Sequence, residues 1–244
     1  MVLIGAGIYA EVTPWTAVNY AITLLWVIGI ICAFNLLDGM DGLAAGISAI
    51  GAFYFLVLAA LSRQTLTGLL AATALGASLG FLVYNFHPAR IFMGDGGAMF
   101  LGLLMATLGL KIRISDAPAS VDWLLPILVL GVPIFDTTLV TVSRLRRGLV
   151  PFASPGKDHT FHRLQRLGYR QRWIVLLLYG FGMLFGSIAL SLVVFRVPLL
   201  GWVVMAGVLT LAAIGTIVLF EHIPFERQEG VPWRTVRRLM TRSL

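Results

Sequence analysis

The chain has 244 residues, 59% of them hydrophobic and 12% charged, with a formal net charge of +7. A mean hydropathy of +0.92 excludes an ordinary soluble domain. The basic excess carries no nucleic-acid-binding pattern, so it points to membrane surfaces and phosphate ligands, and the single cysteine, Cys32, excludes a disulfide framework or a cysteine metal cluster.

Apolar runs long enough to cross a bilayer recur along the chain. Seven are predicted: Thr16 to Phe34, Leu43 to Leu61, Leu66 to Phe86, Gly97 to Leu110, Trp123 to Val142, Trp173 to Phe195 and Leu199 to Phe220. They lack β-barrel alternation, and backbone groups in lipid must bond internally, so helices are expected. The predicted fold is an all-α, polytopic membrane helix bundle over residues 1–220 with a basic tail over 221–244. No basic segment precedes the first apolar run, so no cleaved signal peptide is expected. If the spans alternate, 14 of the 18 Lys and Arg fall on one side, and Arg63, Lys111, Arg113 and Arg196 on the other. The positive-inside rule then puts the N-terminus outside and the C-terminus in the cytoplasm, in a multi-pass protein of the cell (plasma or inner) membrane.

Residues 1–14 say little. The first span ends in NLLDGMDGLAAG, where Asn35, Asp38 and Asp41 are spaced three apart, on one face of a helical turn. Gly39 and Gly42 interrupt that turn and let the backbone approach a ligand. Two carboxylates and an amide at the end of a span are costly to bury and should face a watery cleft. The alternative is a set of caps and turn formers.

The third span delivers Asn85 and the stretch NFHPARIFMGDGGAMFLG to the same side. Asp95 lies between Gly94 and Gly96, ahead of an apolar run whose helix N-terminus would favour an anion. An acid placed there repels a phosphate unless a cation lies between them, so Mg²⁺ is inferred, with Mn²⁺ as an alternative. A helix-capping Asp is the other reading. His87 has no His or Cys neighbour and reads as a polar interface residue. Phe92 suits stacking on a base, or simple exposure at an interface.

The fifth span holds Asp136, whose burial requires a partner or water; a structural role is favoured there over a catalytic one. The loop after it contains SPGKDHTFHR, with Lys157, His159, His162 and Arg163 suited to phosphate contact. Most of Arg144, Arg146, Arg147, Arg170 and Arg172 read as topology anchors against anionic lipid. The sixth and seventh spans carry no ionisable residue and read as packing and lipid contact; the tail reads as a surface-lying helix or a solvated arm.

The blocks NLLDGMDGLAAG, NFHPARIFMGDGGAMFLG and SPGKDHTFHRL together resemble the polyprenyl-phosphate N-acetylhexosamine-1-phosphate transferases. The resemblance runs from about Trp15 to Trp173, nearest the bacterial undecaprenyl-phosphate GlcNAc-1-phosphate branch and related to the phospho-MurNAc-pentapeptide translocase. It implies transfer of a sugar phosphate, GlcNAc-1-phosphate on this branch, from a UDP-N-acetylhexosamine to undecaprenyl phosphate. UMP is released and Mg²⁺ is required, in cell-envelope polysaccharide synthesis. By the resemblance, Asp95 is the metal-binding Asp, with help from Asn35. Asp38 and Asp41 serve metal and nucleotide, Asn85 lies on the uridine side, and His159 to Arg163 handle the diphosphate and sugar. A homodimer is compatible with it. The family's adjacent Asp-Asp pair does not occur in this sequence. The expectation is therefore an N-terminally truncated chain with low or no transfer activity. Two rivals remain: a lipid transporter with broken helices, and a silent membrane subunit that binds nucleotide or lipid.

Overall fold

The computed structural model describes residues 2–113, 119–150, 156, 158–195, 201, 207, 210 and 212–218. Its elements in chain order are α1 (Val2–Gly5), α2 (Thr16–Leu37), α3 (Leu43–Leu61), α4 (Thr65–Asn85), α5 (Gly94–Lys111), α6 (Ala119–Val129), α7 (Gly131–Arg146), α8 (Thr160–Arg166) and α9 (Gln171–Val194). All are helices, as expected for a multi-pass bundle. Four of them, α2, α3, α4 and α9, are long and apolar enough to cross a membrane.

Helix α3 is central. Of its most apolar window 72% is buried, against 22–33% for α2, α4 and α9. Its small residues explain this: Ala44, Ala45, Ala52 and Ala59 are all at 1% exposure or less, so neighbours approach its backbone closely. The outer helices instead expose large side chains such as Leu25 and Val83, an exterior that a bilayer covers.

Two reciprocal notches lock α3 to α9. A side chain at Gly46 would meet the Tyr179 hydroxyl at 1.9 Å, and one at Gly186 would meet the Tyr54 ring at 2.1 Å. Each tyrosine therefore fills the space left by the other helix's glycine. Tyr54 donates to the Met183 carbonyl at 2.8 Å and lies 2.7 Å from the Ser187 hydroxyl, while Tyr179 donates to the Gly42 carbonyl. Both contacts advance in the same chain direction, so α3 and α9 run parallel and start at one end of the bundle. On α2, the Trp26 indole donates to the Ala106 carbonyl at 3.1 Å, and Gly102 lets α5 lie against Ile31 and Phe34.

Two predicted spans take a different form. The stretch predicted as a continuous fifth span is broken at Leu130, where α6 and α7 meet at 80°. Pro126 lies inside α6 and Pro133 in the first turn of α7, where its missing N–H costs least. The Phe185 ring packs into the bend, 2.7 Å from where a side chain on Gly131 would begin. The predicted fourth span, α5, is a helix but does not reach the apolarity of the other four. It starts in the polar Gly94–Gly97 stretch and ends at Lys111. Within the predicted seventh span the described residues 201, 207, 210 and 212–218 are helical. The remainder of that span, and the tail 221–244, lie outside the described residues.

Candidate active site

The end of the bundle where α2 and α4 finish, and α3, α5 and α9 begin, gathers the three polar blocks. Asn85, the last residue of α4, is buried and spends its amide on two backbone bonds. Its oxygen accepts the Gly42 N–H at 3.0 Å, and its nitrogen donates to the Ile91 carbonyl at 2.9 Å. Gly42 has φ +78°, a left-handed conformation that glycine adopts without a Cβ penalty, and this turns the chain from the acidic loop into α3. Asp41 is held from the same side: its Oδ2 accepts the Ala89 N–H at 3.2 Å and lies 2.9 Å from His87 Nδ1. The loop 86–93 is thus folded back onto the acidic loop.

Asp38 ends α2, and the start of α5 lies beside it. Burial is the largest influence on the Asp38 carboxyl and raises its pKa, the Gly94 backbone amide opposes that, and the negative charge of Asp95 adds to it; the result is about 6. Two carboxylates held within each other's field, one of them half-buried and the other exposed, are a pair that a cation would relieve. Asn35, one turn before Asp38, has its side-chain oxygen buried with no hydrogen-bond partner. A buried acceptor left without a donor is costly. The donor set of two carboxylates and one amide oxygen is all hard oxygen, which fits Mg²⁺, an ion that keeps several waters and takes few protein ligands. No cluster of three or more His, Cys, Asp or Glu suited to a metal occurs among the described residues.

The third block is anchored from below by one face of α7. Asp136, Ser143, Arg144 and Arg147 recur at i, i+7, i+8 and i+11, and all four hold the segment 156–166. Asp136 lies 2.8 Å from His159 Nδ1 through Oδ2 and accepts the Thr160 N–H at 2.7 Å through Oδ1, which caps α8. Arg144 grips Asp158 with two bonds, at 2.9 and 2.7 Å, and Arg147 adds a third at 2.6 Å. Burial pushes the Asp158 carboxyl up, but the bonds from Arg144 and Arg147 and the Arg144 charge outweigh it and bring the pKa down to about 2. Gly156 permits this, since a side chain there would meet Arg144 and Asp158, both at 2.6 Å.

Gly39 joins the third block to the first. A side chain at that position would begin 3.0 Å from the Phe161 ring, so Phe161 lies directly on the acidic loop next to Asp38. His159 stacks on Phe161 at 5.3 Å and 8°, and the tilted His162 ring lies 4.4 Å from Phe161 and 6.2 Å from His159.

The geometry therefore brings Asp38, Asp41, Asn85, Asp95 and His159 to one end of the bundle, with Phe92 at its rim at 78% exposure. Several expectations change. Arg163, expected to touch phosphate, is fully buried and donates to the Asp158 carbonyl at 2.9 Å and the Ser143 hydroxyl at 3.0 Å, so it holds the loop together. Arg144 and Arg147 are not lipid-facing anchors but the partners of a buried carboxylate. His87 is the partner of Asp41 rather than a free interface residue. Asn85 acts first as a clamp. His162 is half-buried and lies 3.2 Å from Gln165 Oε1 through Nδ1. Lys157 lies outside the described residues. The α7 spacing of Asp136, Ser143, Arg144 and Arg147 was visible in the sequence and was the signal for a polar helix face needing a buried partner.

Residues 3–113 match the family described as glycosyl transferase family 4. The probable undecaprenyl-phosphate N-acetylglucosaminyl 1-phosphate transferase of Bacillus subtilis (strain 168) is 42% identical over 178 residues, which is 73% of this chain and 49% of that protein. The decaprenyl-phosphate N-acetylglucosaminephosphotransferase of Mycobacterium tuberculosis (strain ATCC 25618 / H37Rv) is 34% identical over 221 residues, 80% of this chain and 54% of that protein. The phospho-N-acetylmuramoyl-pentapeptide-transferase of Symbiobacterium thermophilum is 35% identical over 193 residues, 78% of this chain and 51% of that protein. The chain spans about half the length of the curated relatives it matches. With these relatives and three polar blocks converging at one end of a helical bundle, the chain belongs to glycosyl transferase family 4 and is similar over about half their length to polyprenyl-phosphate N-acetylglucosamine-1-phosphate transferases.

Proposed function

We propose that the chain carries the donor and metal site of a transferase that moves N-acetylhexosamine-1-phosphate, GlcNAc-1-phosphate by its relatives' names, from a UDP-sugar to undecaprenyl phosphate, releasing UMP. The membrane is the plasma membrane and the site faces the cytoplasm, on the side where 14 of 18 cationic residues fall. The observation that carries the reading is Asp38 in the field of Asp95, one helical turn after the unpartnered Asn35 oxygen and next to Gly39, on which Phe161 rests.

Asp95, Asp38 and Asn35 would hold Mg²⁺, which supplies charge neutralisation for the donor diphosphate. The chain's own part is positioning. Helix α5 begins at this end without a side-chain cap, and its exposed first turn at Asp95 and Gly96 offers N–H groups to phosphate oxygens. His159 adds a ring N–H or lone pair from a fixed orientation, and Phe92 offers an exposed face to the uracil. In the transfer, an oxygen of the lipid phosphate forms a bond to the sugar-bearing phosphorus. The bond from that phosphorus to the bridging oxygen breaks, and the electron pair leaves with UMP. A phosphate monoester with a second pKa near ~6 is already ionised at neutral pH, so no base is required. Catalysis is then orientation plus stabilisation of equatorial oxygens.

A transporter would share the broken α6–α7 span. The Asp136 carboxylate near that break is spent on His159 and Thr160, and the other polar groups gather at one end rather than at the midplane. Calorimetry in detergent tests the proposal. UDP-GlcNAc binds with Mg²⁺ present, and binding is lost on Mg²⁺ removal and in Asp95→Asn. Binding indifferent to both, or UMP release that survives Asp95→Asn, overturns it.

A further inference from the structure

The proposed reaction does not by itself require Asp136, a carboxylate at 2% exposure in α7, the second half of a broken span. Burying a carboxylate there is expensive, so its two bonds must do something that a cheaper residue cannot. One of them is a cap: Oδ1 accepts the Thr160 N–H at 2.7 Å, a task that Asn or Ser performs equally well. The other differs. Oδ2 lies 2.8 Å from His159 Nδ1, and a carboxylate oxygen has only lone pairs to offer, so the ring proton between them belongs to Nδ1. That leaves Nε2 as the only ring nitrogen for a ligand, and it makes no hydrogen bond among the described residues. The ring cannot swing away, because one face is stacked on Phe161 and Phe161 rests on Gly39, next to Asp38. His159 itself is at 5% exposure, so the constraint acts in a largely dry setting, where fixed polar groups act most strongly.

We infer that Asp136 is a positioning residue that fixes the Nδ1–H form and the plane of His159, so that Nε2 is presented to the donor's phosphate oxygens or to a proton they carry. This rests on the reading of the site as one for a UDP-sugar diphosphate. The carboxylate touches no substrate and acts through the imidazole. The arrangement is a histidine oriented by a buried acid, in which the acid sets which nitrogen is available.

Selective ¹⁵N-histidine labelling of the protein in detergent micelles tests it, with His159→Gln to assign the ring. Wild-type protein shows a protonated Nδ1 on His159. Asp136→Asn keeps an acceptor for only one of the two bonds and offers the ring an N–H, so the proton moves to Nε2 or divides between the nitrogens. Thr160→Pro separates the two roles. It removes the capped N–H at the first helical position, where proline is tolerated, and His159 already has the extended φ −68°, ψ 158° that precedes proline. That variant leaves the His159 signals as in wild type. UDP-GlcNAc with Mg²⁺ shifts the Nε2 signal and leaves Nδ1 in place. A wild-type ring protonated only at Nε2, unchanged ring signals in folded Asp136→Asn, or an Nε2 signal unmoved by donor that calorimetry shows to be bound, each overturns the inference. If Asp136→Asn does not fold, the wild-type and Thr160→Pro spectra still decide it. If calorimetry shows no donor binding, the transferase reading fails, while the tautomer result stands on its own.

Discussion

The side-chain oxygen of Asn85 accepts the backbone N–H of Gly42 at 3.0 Å, joining the end of α4 to the turn that starts α3 across 43 positions of sequence. The same amide donates to the Ile91 carbonyl, so one side chain ties three segments of the site together.

Replacing Asn85 with Leu strands the buried Gly42 N–H and takes the amide partner from the Ile91 carbonyl. The expected cost is about 1–3 kcal/mol of stability, visible as a lower melting temperature in detergent with no nucleotide present. A side chain serving only to contact uridine would leave that melting temperature unchanged, and such a result would remove the clamp.

Mg²⁺ should raise the melting temperature of the wild-type protein in a concentration-dependent way, as any ligand of the folded state does. Asp95→Asn should abolish that rise. Asp38→Asn should raise the melting temperature measured with chelator, because it removes a half-buried charge that lies in the field of Asp95. Equal Mg²⁺ responses in all three proteins would dismiss the paired-carboxylate site.

Asp158 has its folded pKa depressed from 3.8 to about 2. A depressed acid contributes stability that is complete above its unfolded value and is lost as pH falls through its folded value. The wild-type melting temperature should therefore fall between about pH 4 and pH 2, and Asp158→Asn should flatten that fall. Asp158→Ala goes further and takes the carboxylate from the buried Arg144, a loss of roughly 3–5 kcal/mol. A pH profile identical in wild type and Asp158→Asn contradicts the assignment.

Gly46→Ala places a methyl 1.9 Å from the Tyr179 hydroxyl. The ring must leave its notch, at a cost of about 1–3 kcal/mol for overpacking. Tyr179→Phe should cost less, since it removes only the bond to Gly42. The double variant Gly46→Ala/Tyr179→Ala should be more stable than the sum of the two single losses, which a double-mutant cycle measures. Additive losses would show that the two positions do not meet.

Much of this protein could be read directly. The helices α2, α3, α4 and α9 appear as long apolar runs because a bilayer imposes length and hydrophobicity on each span separately, and that constraint is local. The acidic residues Asp38, Asp41 and Asp95 were equally plain, since a carboxylate next to glycines stands out against an oily background. The break at Leu130 was harder: Pro126 and Pro133 gave notice of a weak point, but the 80° bend depends on Phe185 from α9 filling the corner. Arg163 shows the limit most clearly. As a residue type it matched a phosphate contact, and the structure spends it on the Asp158 carbonyl and Ser143.

The sequence by itself determined that this chain is a helical membrane protein with three polar blocks, because hydropathy and residue type act over a few neighbouring positions. Only the tertiary structure decided which polar groups meet a partner and which stay open. Asn35, Asp38 and Asp95 keep unmet or opposed charge and oxygen, while Asn85, Asp136, Asp158 and Arg163 are committed to bonds. The physical reason is that hydrogen bonds and ion pairs have a range of a few ångströms. Partners 14 to 46 positions apart, such as Arg144 with Asp158 and Asp41 with His87, come within it only once the helices have packed.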